Sequence, residues 1–180
     1  MLVLLDRDGV LNRERKDFIK SVDELEMIPG AAAAVARLNR AGHRVAVVSN
    51  QSAVGRGMIT SAQLDAIMAA LASHLAAAGA KLDAIITCTD PPWAASERRK
   101  PGPGMLQEAI AQFGAKPAET VMIGDSHRDL EAAVRAGCRR ILVRTGNGRR
   151  TEAEGLPGPI LPCPIENDLA AAVDRLLAAP

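Results

Sequence analysis

The sequence predicts a Rossmann-like α/β fold: three layers, α/β/α, around a central parallel sheet. Two observations carry the prediction. Short apolar runs alternate with stretches of helical spacing, and the runs are continuously apolar, as strands covered on both faces are. Most of the helical stretches also end at a glycine, the residue that closes a helix most readily.

The elements follow in order. Val3–Leu5 is a short buried strand. Gly30–Ala41 has helical spacing and stops at Gly42. His43–Ser49, with Val45-Ala46-Val47-Val48, is a second buried strand. Ser61–Ala78 is a long helix that opens at Thr60 or Ser61 and closes at Gly79. Ala84–Thr87 is a third strand, and Gly104–Phe113 a helix stopped by Gly114. Thr120–Ile123 is a fourth strand, Arg128–Ala136 a helix ending at Gly137, Arg140–Val143 a fifth strand and Asp168–Ala178 a closing helix. The Gly/Pro-rich stretch Gly155–Pro164 reads as a surface connection or a short edge strand. There is no internal repeat.

The chain has 180 residues, 48% of them hydrophobic, enough for one sizeable core and short for two full domains, so 1–180 is expected to be one domain. Formal net charge is +1 with no basic tract, and Phe18, Phe113 and Trp93 are the whole aromatic complement. A nucleic-acid partner is not expected. No apolar run approaches the roughly 20 residues of a membrane span, and the N-terminus reads as a strand rather than a signal peptide. Cys88, Cys138 and Cys163 are odd in number and widely spaced, which fits a reducing cytoplasm rather than a disulfide framework. Cys138 and Met58, Met68 and Met105 read as packing residues. No face demands a partner copy, and a monomer is expected.

In open α/β sheets, ligands gather beyond the carboxyl ends of the strands. The first strand is followed there by Asp6 and Asp8, two residues apart and so on one side of a continuing strand. Gly9 then permits a sharp turn. Ser49-Asn50-Gln51-Ser52 follows the second strand, the loop Cys88–Lys100 the third, Gly124-Asp125-Ser126 the fourth and Arg144-Thr145-Gly146 the fifth. Carboxylates for a hard divalent cation and donors for phosphate oxygens converge on one rim. That is the chemistry of a metal-assisted phosphate site.

Four signatures, in order, carry a family resemblance: Asp6-Arg7-Asp8-Gly9-Val10-Leu11-Asn12, Ser49-Asn50, Lys100-Pro101, and Gly124-Asp125-Ser126-His127-Arg128-Asp129. The chain resembles the haloacid dehalogenase superfamily of aspartate-nucleophile phosphatases. Within it, Gln51-Ser52, Arg56-Gly57 and Arg99–Met105 resemble the heptose bisphosphate phosphatases and their histidinol-phosphate phosphatase relatives. The resemblance implies Asp6 as nucleophile, Asp8 as general acid and base, Ser49 as a phosphate donor and Lys100 as a charge on nucleophile and phosphate. It implies Mg²⁺ on Asp6, the Asp8 carbonyl and Asp125. It places Arg7, Gly9, Asn50, Gln51, Ser52, Arg56, Arg99 and Ser126 around the substrate.

Several of these residues have second readings. Asp125 can also cap a helix at Ser126–Ala136. Asp129 supports metal waters, orients Lys100 or is a surface acid. Arg99 recognises substrate or is surface charge, and Arg56 reads a distal phosphate or fixes its loop. His127 reads as a solvated helix-start side chain.

Members of this subfamily commonly hold zinc in the loop before Arg99. Here that loop, Cys88–Glu97, has one Cys and no His, and no structural zinc is expected. The intervals Asp8–Ser49 and Ser49–Lys100 leave no room for a cap domain. An open site follows, bordered by Arg13–Ser21, Gln51–Ile59 and Thr89–Arg98. Arg13, Arg15, Lys16, Arg56 and Arg99 are placed to hold a phosphate that is not cleaved.

The implied reaction is removal of the C7 phosphate of D-glycero-D-manno-heptose 1,7-bisphosphate through an aspartyl-phosphate, within carbohydrate metabolism and lipopolysaccharide biosynthesis. Histidinol phosphate or another small phosphate ester is the alternative substrate. A phosphate-ligand binding module is the non-enzymatic alternative, and a module of that kind has no need of Asp6, Asp8, Lys100 and Asp125 together.

Overall fold

The computed structural model describes residues 1–178. Its centre is a six-stranded, all-parallel sheet in the order β3-β2-β1-β4-β5-β6. The strands are β1 (Leu2–Leu5), β2 (Arg44–Asn50), β3 (Ala84–Cys88), β4 (Thr120–Gly124), β5 (Arg139–Val143) and β6 (Ile165–Glu166). The helices are α1 (Ala31–Arg40), α2 (Ser52–Gly55), α3 (Ser61–Ala77), α4 (Gly104–Phe113), α5 (His127–Arg135), α6 (Gly148–Glu154) and α7 (Leu169–Ala178).

Period-two alternation divides the core. Val3 and Leu5 of β1 face one layer with α1, α3 and α7, while Leu2 and Leu4 face the other with α4 and α5. All four side chains are buried, and each such burial is worth roughly 1.5–3 kcal/mol. A strand buried on both sides has to be apolar throughout, which is why β1 carries no polar residue until it leaves the sheet at Asp6. Register then fixes the rim: Leu5 pairs with Val47 on one side and Ile123 on the other. Asp6 continues the ladder through its backbone N–H to the Ile123 carbonyl at 3.0 Å.

Ten of the expected elements are present, with ends moved by one or two residues. The helix expected from Arg128 begins at His127, and its N-cap is Ser126, not Asp125. The long helix α3 opens with a reciprocal cap: Gln63 N–H donates to Thr60 Oγ1 at 3.2 Å and Thr60 N–H to Gln63 Oε1 at 2.8 Å. Three elements were not expected as such. The helix α2 is a single turn, and α6 buries only Gly148 and Thr151, so neither has an apolar period to read. The stretch Gly155–Pro164 makes a surface turn that buries Ile160, and the edge strand β6 follows it. Met68 and Met105 lie in the core as expected, but Met58 is 45% exposed. No helix among the described residues is long and apolar enough to cross a membrane.

Candidate active site

The rim of the sheet gathers charge that the core excludes. At its floor Asp6, Asp125 and Asp129 present carboxylate oxygens within 4.8 Å of one another. Lys100 answers them from the end of the loop between β3 and α4. Its ammonium is 3.1 Å from Asp6 Oδ1 and 2.5 Å from Asp129 Oδ1, and donates to the Val48 carbonyl at 2.8 Å. Asn50 fixes the Lys100 backbone reciprocally: Asn50 Nδ2 donates to its carbonyl at 2.9 Å and Lys100 N–H to Asn50 Oδ1 at 3.0 Å. Burial pulls the Lys100 ammonium down, but Asp129 and Asp6 outweigh it and hold its pKa above the ordinary value. One lysine does not balance three acids. Burial, with the charges of Asp129 and Asp8, lifts Asp6 to about 6 against the pull of Lys100. Burial and the charges of Asp129 and Asp6 lift Asp125 to about 8.

Asp8 sits apart from this cluster, under a set of donors. Arg7 reaches it with Nε at 3.1 Å and with Nη2 at 2.7 and 2.8 Å, Asn12 Nδ2 at 2.8 Å and Gln51 Nε2 at 3.0 Å. Arg7 is a buried arginine, 1% exposed, and its Nη1 has no protein partner. The Arg7 N–H donates to Asp6 Oδ1 at 2.7 Å, so the residue between the two aspartates orients both. Gln51 also donates to Ser49 Oγ at 3.0 Å, and Ser49 is buried at the end of β2 beside Asp6.

Asp125 is held from the opposite side. The Asn147 N–H donates to its Oδ2 at 2.7 Å, and Thr151 Oγ1 to its backbone carbonyl at 2.8 Å. Gly9, at φ +79°, and Gly146, at φ +56°, pack against this carboxylate. A Cβ on Gly9 would lie 2.0 Å from Asp125 Oδ2, and one on Gly146 2.1 Å. Both glycines are there because the acid occupies the space a side chain would fill. Ser126 caps α5, and its hydroxyl donates to Asp129 Oδ2 at 2.6 Å. Asp129 is 1% exposed, so it orients Lys100 and is no surface acid.

Above this floor lies a cavity of about 260 Å³ bounded by the three expected loops. Arg7, Asp8, Asn50, Gln51, Ser52, Arg56 and Arg99 line it, as do Arg15 and Lys16. Arg13 does not: it pairs with Glu26 at 2.5 Å and faces a separate hollow with Thr145 and Gly146. Ser126 borders a neighbouring cavity with His127, whose Nε2 meets the Gly155 carbonyl at 2.9 Å. Arg99 is 9% exposed, with Nη1 donating to the Asp90 carbonyl at 2.8 Å, so it is not a surface charge.

Sequence reasoning missed Glu14, Arg128 and Asn147. Glu14 and Arg128 border both cavities. Glu14 keeps an exposed side chain, but the protein packed around its carboxyl, with the charges of Asp8 and Asp6, lifts it to about 7. Arg128, inside the fourth signature, was the one of these with a signal in the sequence. Asn147 lies beyond every signature, and only the β5–α6 turn brings it to Asp125.

The sheet order, the aspartates at the end of β1 and the buried lysine define a class of hydrolase. The chain belongs to the haloacid dehalogenase-like hydrolase family, whose model matches residues 3–133. A second model, of HAD-type hydrolases, matches residues 97–172. The chain is 42% identical to the D-glycero-beta-D-manno-heptose-1,7-bisphosphate 7-phosphatase of Bordetella bronchiseptica, over 98% of this chain and 97% of that one. It is also 42% identical to the enzyme of the same name from Pseudomonas aeruginosa, over 98% and 97%. A crystal structure of the B. bronchiseptica D,D-heptose 1,7-bisphosphate phosphatase complexed with magnesium and phosphate superposes with a TM-score of 0.93, covering 98% of this chain and 97% of that one.

Proposed function

We propose that this chain is a Mg²⁺-dependent phosphatase that removes the C7 phosphate of D-glycero-β-D-manno-heptose 1,7-bisphosphate, with Asp6 as nucleophile. The observation that carries the chemistry is Asp6 itself, a carboxylate 3.1 Å from a buried lysine and next in sequence to Arg7, which with Asp8 lines a cation-rich cavity. The names of the relatives support the substrate and its anomer.

The residues fit a divalent cation. Asp6 and Asp125 offer hard oxygen donors, and burial together with neighbouring carboxylates raises both acids, a penalty that a bound cation relieves. Asp6, the Asp8 carbonyl and Asp125 are the groups to hold Mg²⁺, with Asp129 committed to Lys100. When bound, the ion offsets repulsion between the anionic nucleophile and the anionic phosphate.

The chain's own groups do the rest. An Asp6 oxygen bonds to phosphorus as the bond from phosphorus to the C7 oxygen breaks, giving an aspartyl-phosphate. Asp8 delivers the proton that the departing oxygen needs. It then takes one from the water that attacks phosphorus and frees Asp6. Ser49 and the backbone amides of the β1 and β2 ends donate to the equatorial oxygens, and Lys100 balances their charge. Asn50 and Gln51 act by fixing Lys100, Ser49 and Asp8. The phosphate that is not cleaved lies toward Lys16, Arg56, Arg99 and Arg128.

Glu14 gives the histidinol-phosphate reading an acid for its amine. Six cationic side chains against two carboxylates in the cavity wall favour the bisphosphate. We read residues 1–180 as one uncapped hydrolase domain acting as a monomer in a reducing cytoplasm, a setting its three free cysteines suit. Phosphate release with Mg²⁺ from both anomers of the heptose bisphosphate, from histidinol phosphate and from fructose 1,6-bisphosphate tests the reading, with Asp6→Asn as control. Asp6-dependent turnover of the β anomer above the others is expected. Preference for histidinol phosphate, or release that survives Asp6→Asn, would overturn it.

A further inference from the structure

Three loops from distant parts of the chain meet at one guanidinium outside the catalytic cluster. The Arg56 guanidinium carbon lies 5.4 Å from the ring centroid of Phe18 and 5.0 Å from that of Trp93. Both distances are within the range of cation–π attraction. Phe18 is the one described non-glycine residue with a left-handed backbone, φ 65°, a strained state that persists only where surrounding contacts enforce it. Trp93 is 70% exposed, so little solvent is excluded by leaving it there. The two loops that bring Arg56 and Trp93 together are pressed close: a Cβ on Gly55 would lie 2.3 Å from the Thr89 carbonyl and 2.7 Å from Pro91 Cδ.

The arrangement matters because of what Arg56 faces. It lines the cavity with Arg99, whose guanidinium is pushed below its ordinary value by burial and by the charges of Arg128 and Arg56. Like charges held this close need something to keep them in place until an anion arrives. Arg56 has only a long 3.4 Å hydrogen bond to Ser52 Oγ and no carboxylate partner among the described residues. Trp93 touches Arg56 but is not part of the cavity wall.

We propose that Trp93 and Phe18 are positioning residues that hold Arg56 toward the cavity, and that they thereby set the preference for a substrate carrying a second anionic group. This rests on the phosphatase reading and adds the device that selects a bisphosphate over a simple ester. Phe18 pins Arg56 from the β1–α1 loop and Trp93 from the β3–α4 loop, so the guanidinium does not swing into solvent before substrate binds.

The test compares Trp93→Ala and Trp93→Phe with the unaltered chain on two substrates, the heptose bisphosphate and para-nitrophenyl phosphate. Trp93→Ala is expected to raise KM for the bisphosphate about two- to fivefold. Its kcat should stay within about twofold, and kcat/KM for the aryl phosphate should not change. Trp93→Phe should restore most of the loss. Equal losses on both substrates, or no change on either, would overturn the proposal. Trp93 is the single tryptophan, so its emission gives a readout independent of turnover. In the Asp6→Asn chain, titration with the bisphosphate is expected to change that emission, and titration with inorganic phosphate to change it far less. A saturating titration with no emission change would also overturn the proposal. If the unaltered chain releases no phosphate, the phosphatase reading fails while the emission titration still decides the role of Trp93.

Discussion

The Lys100 ammonium lies closer to Asp129, at 2.5 Å, than to the nucleophile Asp6, at 3.1 Å. The pair is almost fully buried, at 2% and 1% side-chain exposure. Asp129 is therefore the anchor that stops Lys100 from collapsing onto Asp6. In Asp129→Asn the amide oxygen can still accept from Ser126, but the charge facing Lys100 is gone. Breaking a buried pair from one side costs about 3–5 kcal/mol. Lys100 keeps Asp6, so a loss of about 3 kcal/mol is expected in urea unfolding. A fall in kcat is expected as well, because the lysine then holds the nucleophile more tightly. Unchanged stability would mean that the pair is not what fixes Lys100.

Arg7 and Asp8 give a second expectation. Every polar partner of the Asp8 carboxylate is a donor, and Arg7 supplies three of the contacts. Asp8 passes a proton in each half of the proposed reaction, and Arg7 orients its carboxylate for that transfer. Loss of hydrogen bonds to a charged group costs about 1.5–3 kcal/mol. Arg7→Gln is thus expected to lower kcat/KM about 10- to 100-fold on a sugar phosphate. An aryl phosphate, whose leaving group departs without a proton, should lose much less. Equal losses on the two substrates would place Arg7 on phosphate binding instead.

Most of this fold was legible because buried parallel strands must be apolar throughout and helices must stop somewhere. Leu2–Leu5, Val45–Val48 and the glycines at 42, 79, 114 and 137 carry that signal. The site was legible for a different reason: its groups follow strand ends, so their order along the chain maps onto one rim. Asp6, Asp8, Ser49, Lys100 and Asp125 stand there together. Apart from Arg128, which stands inside a signature, what escaped notice had no periodic or positional mark. Asn147 reaches Asp125 only through the turn after β5, and Arg13 is drawn off by Glu26, which no local pattern announces. The contact of Arg56 with Phe18 and Trp93 joins three separate loops and has no footprint in spacing.

The acids at the floor tie stability to pH and to the metal. Asp6 at about 6 and Asp125 at about 8 both lie above their ordinary 3.8. The unfolded chain releases these protons near pH 4, whereas the folded chain keeps them to higher pH. Between those limits the folded state binds more protons, so its stability falls as pH rises. Glu14, lifted to about 7 from 4.5, acts in the same direction. Asp83 and Asp90 are pulled below their ordinary values, so their contribution is complete above about pH 4.5 and adds no slope beyond it. His43, lowered by burial and by the N-terminal charge, opposes the trend with one partly exposed ring. In EDTA the urea midpoint is therefore expected to fall steadily from pH 5 to about 8.5. Mg²⁺ takes the place of the lost protons, so its stabilisation should grow with pH, reaching about 2.7 kcal/mol at a hundred times its Kd. Asp125→Asn should flatten the EDTA slope and remove most of the Mg²⁺ gain. A midpoint that rises with pH in EDTA, or a Mg²⁺ gain that survives Asp125→Asn, would mean that these carboxylates are not the groups that hold the ion.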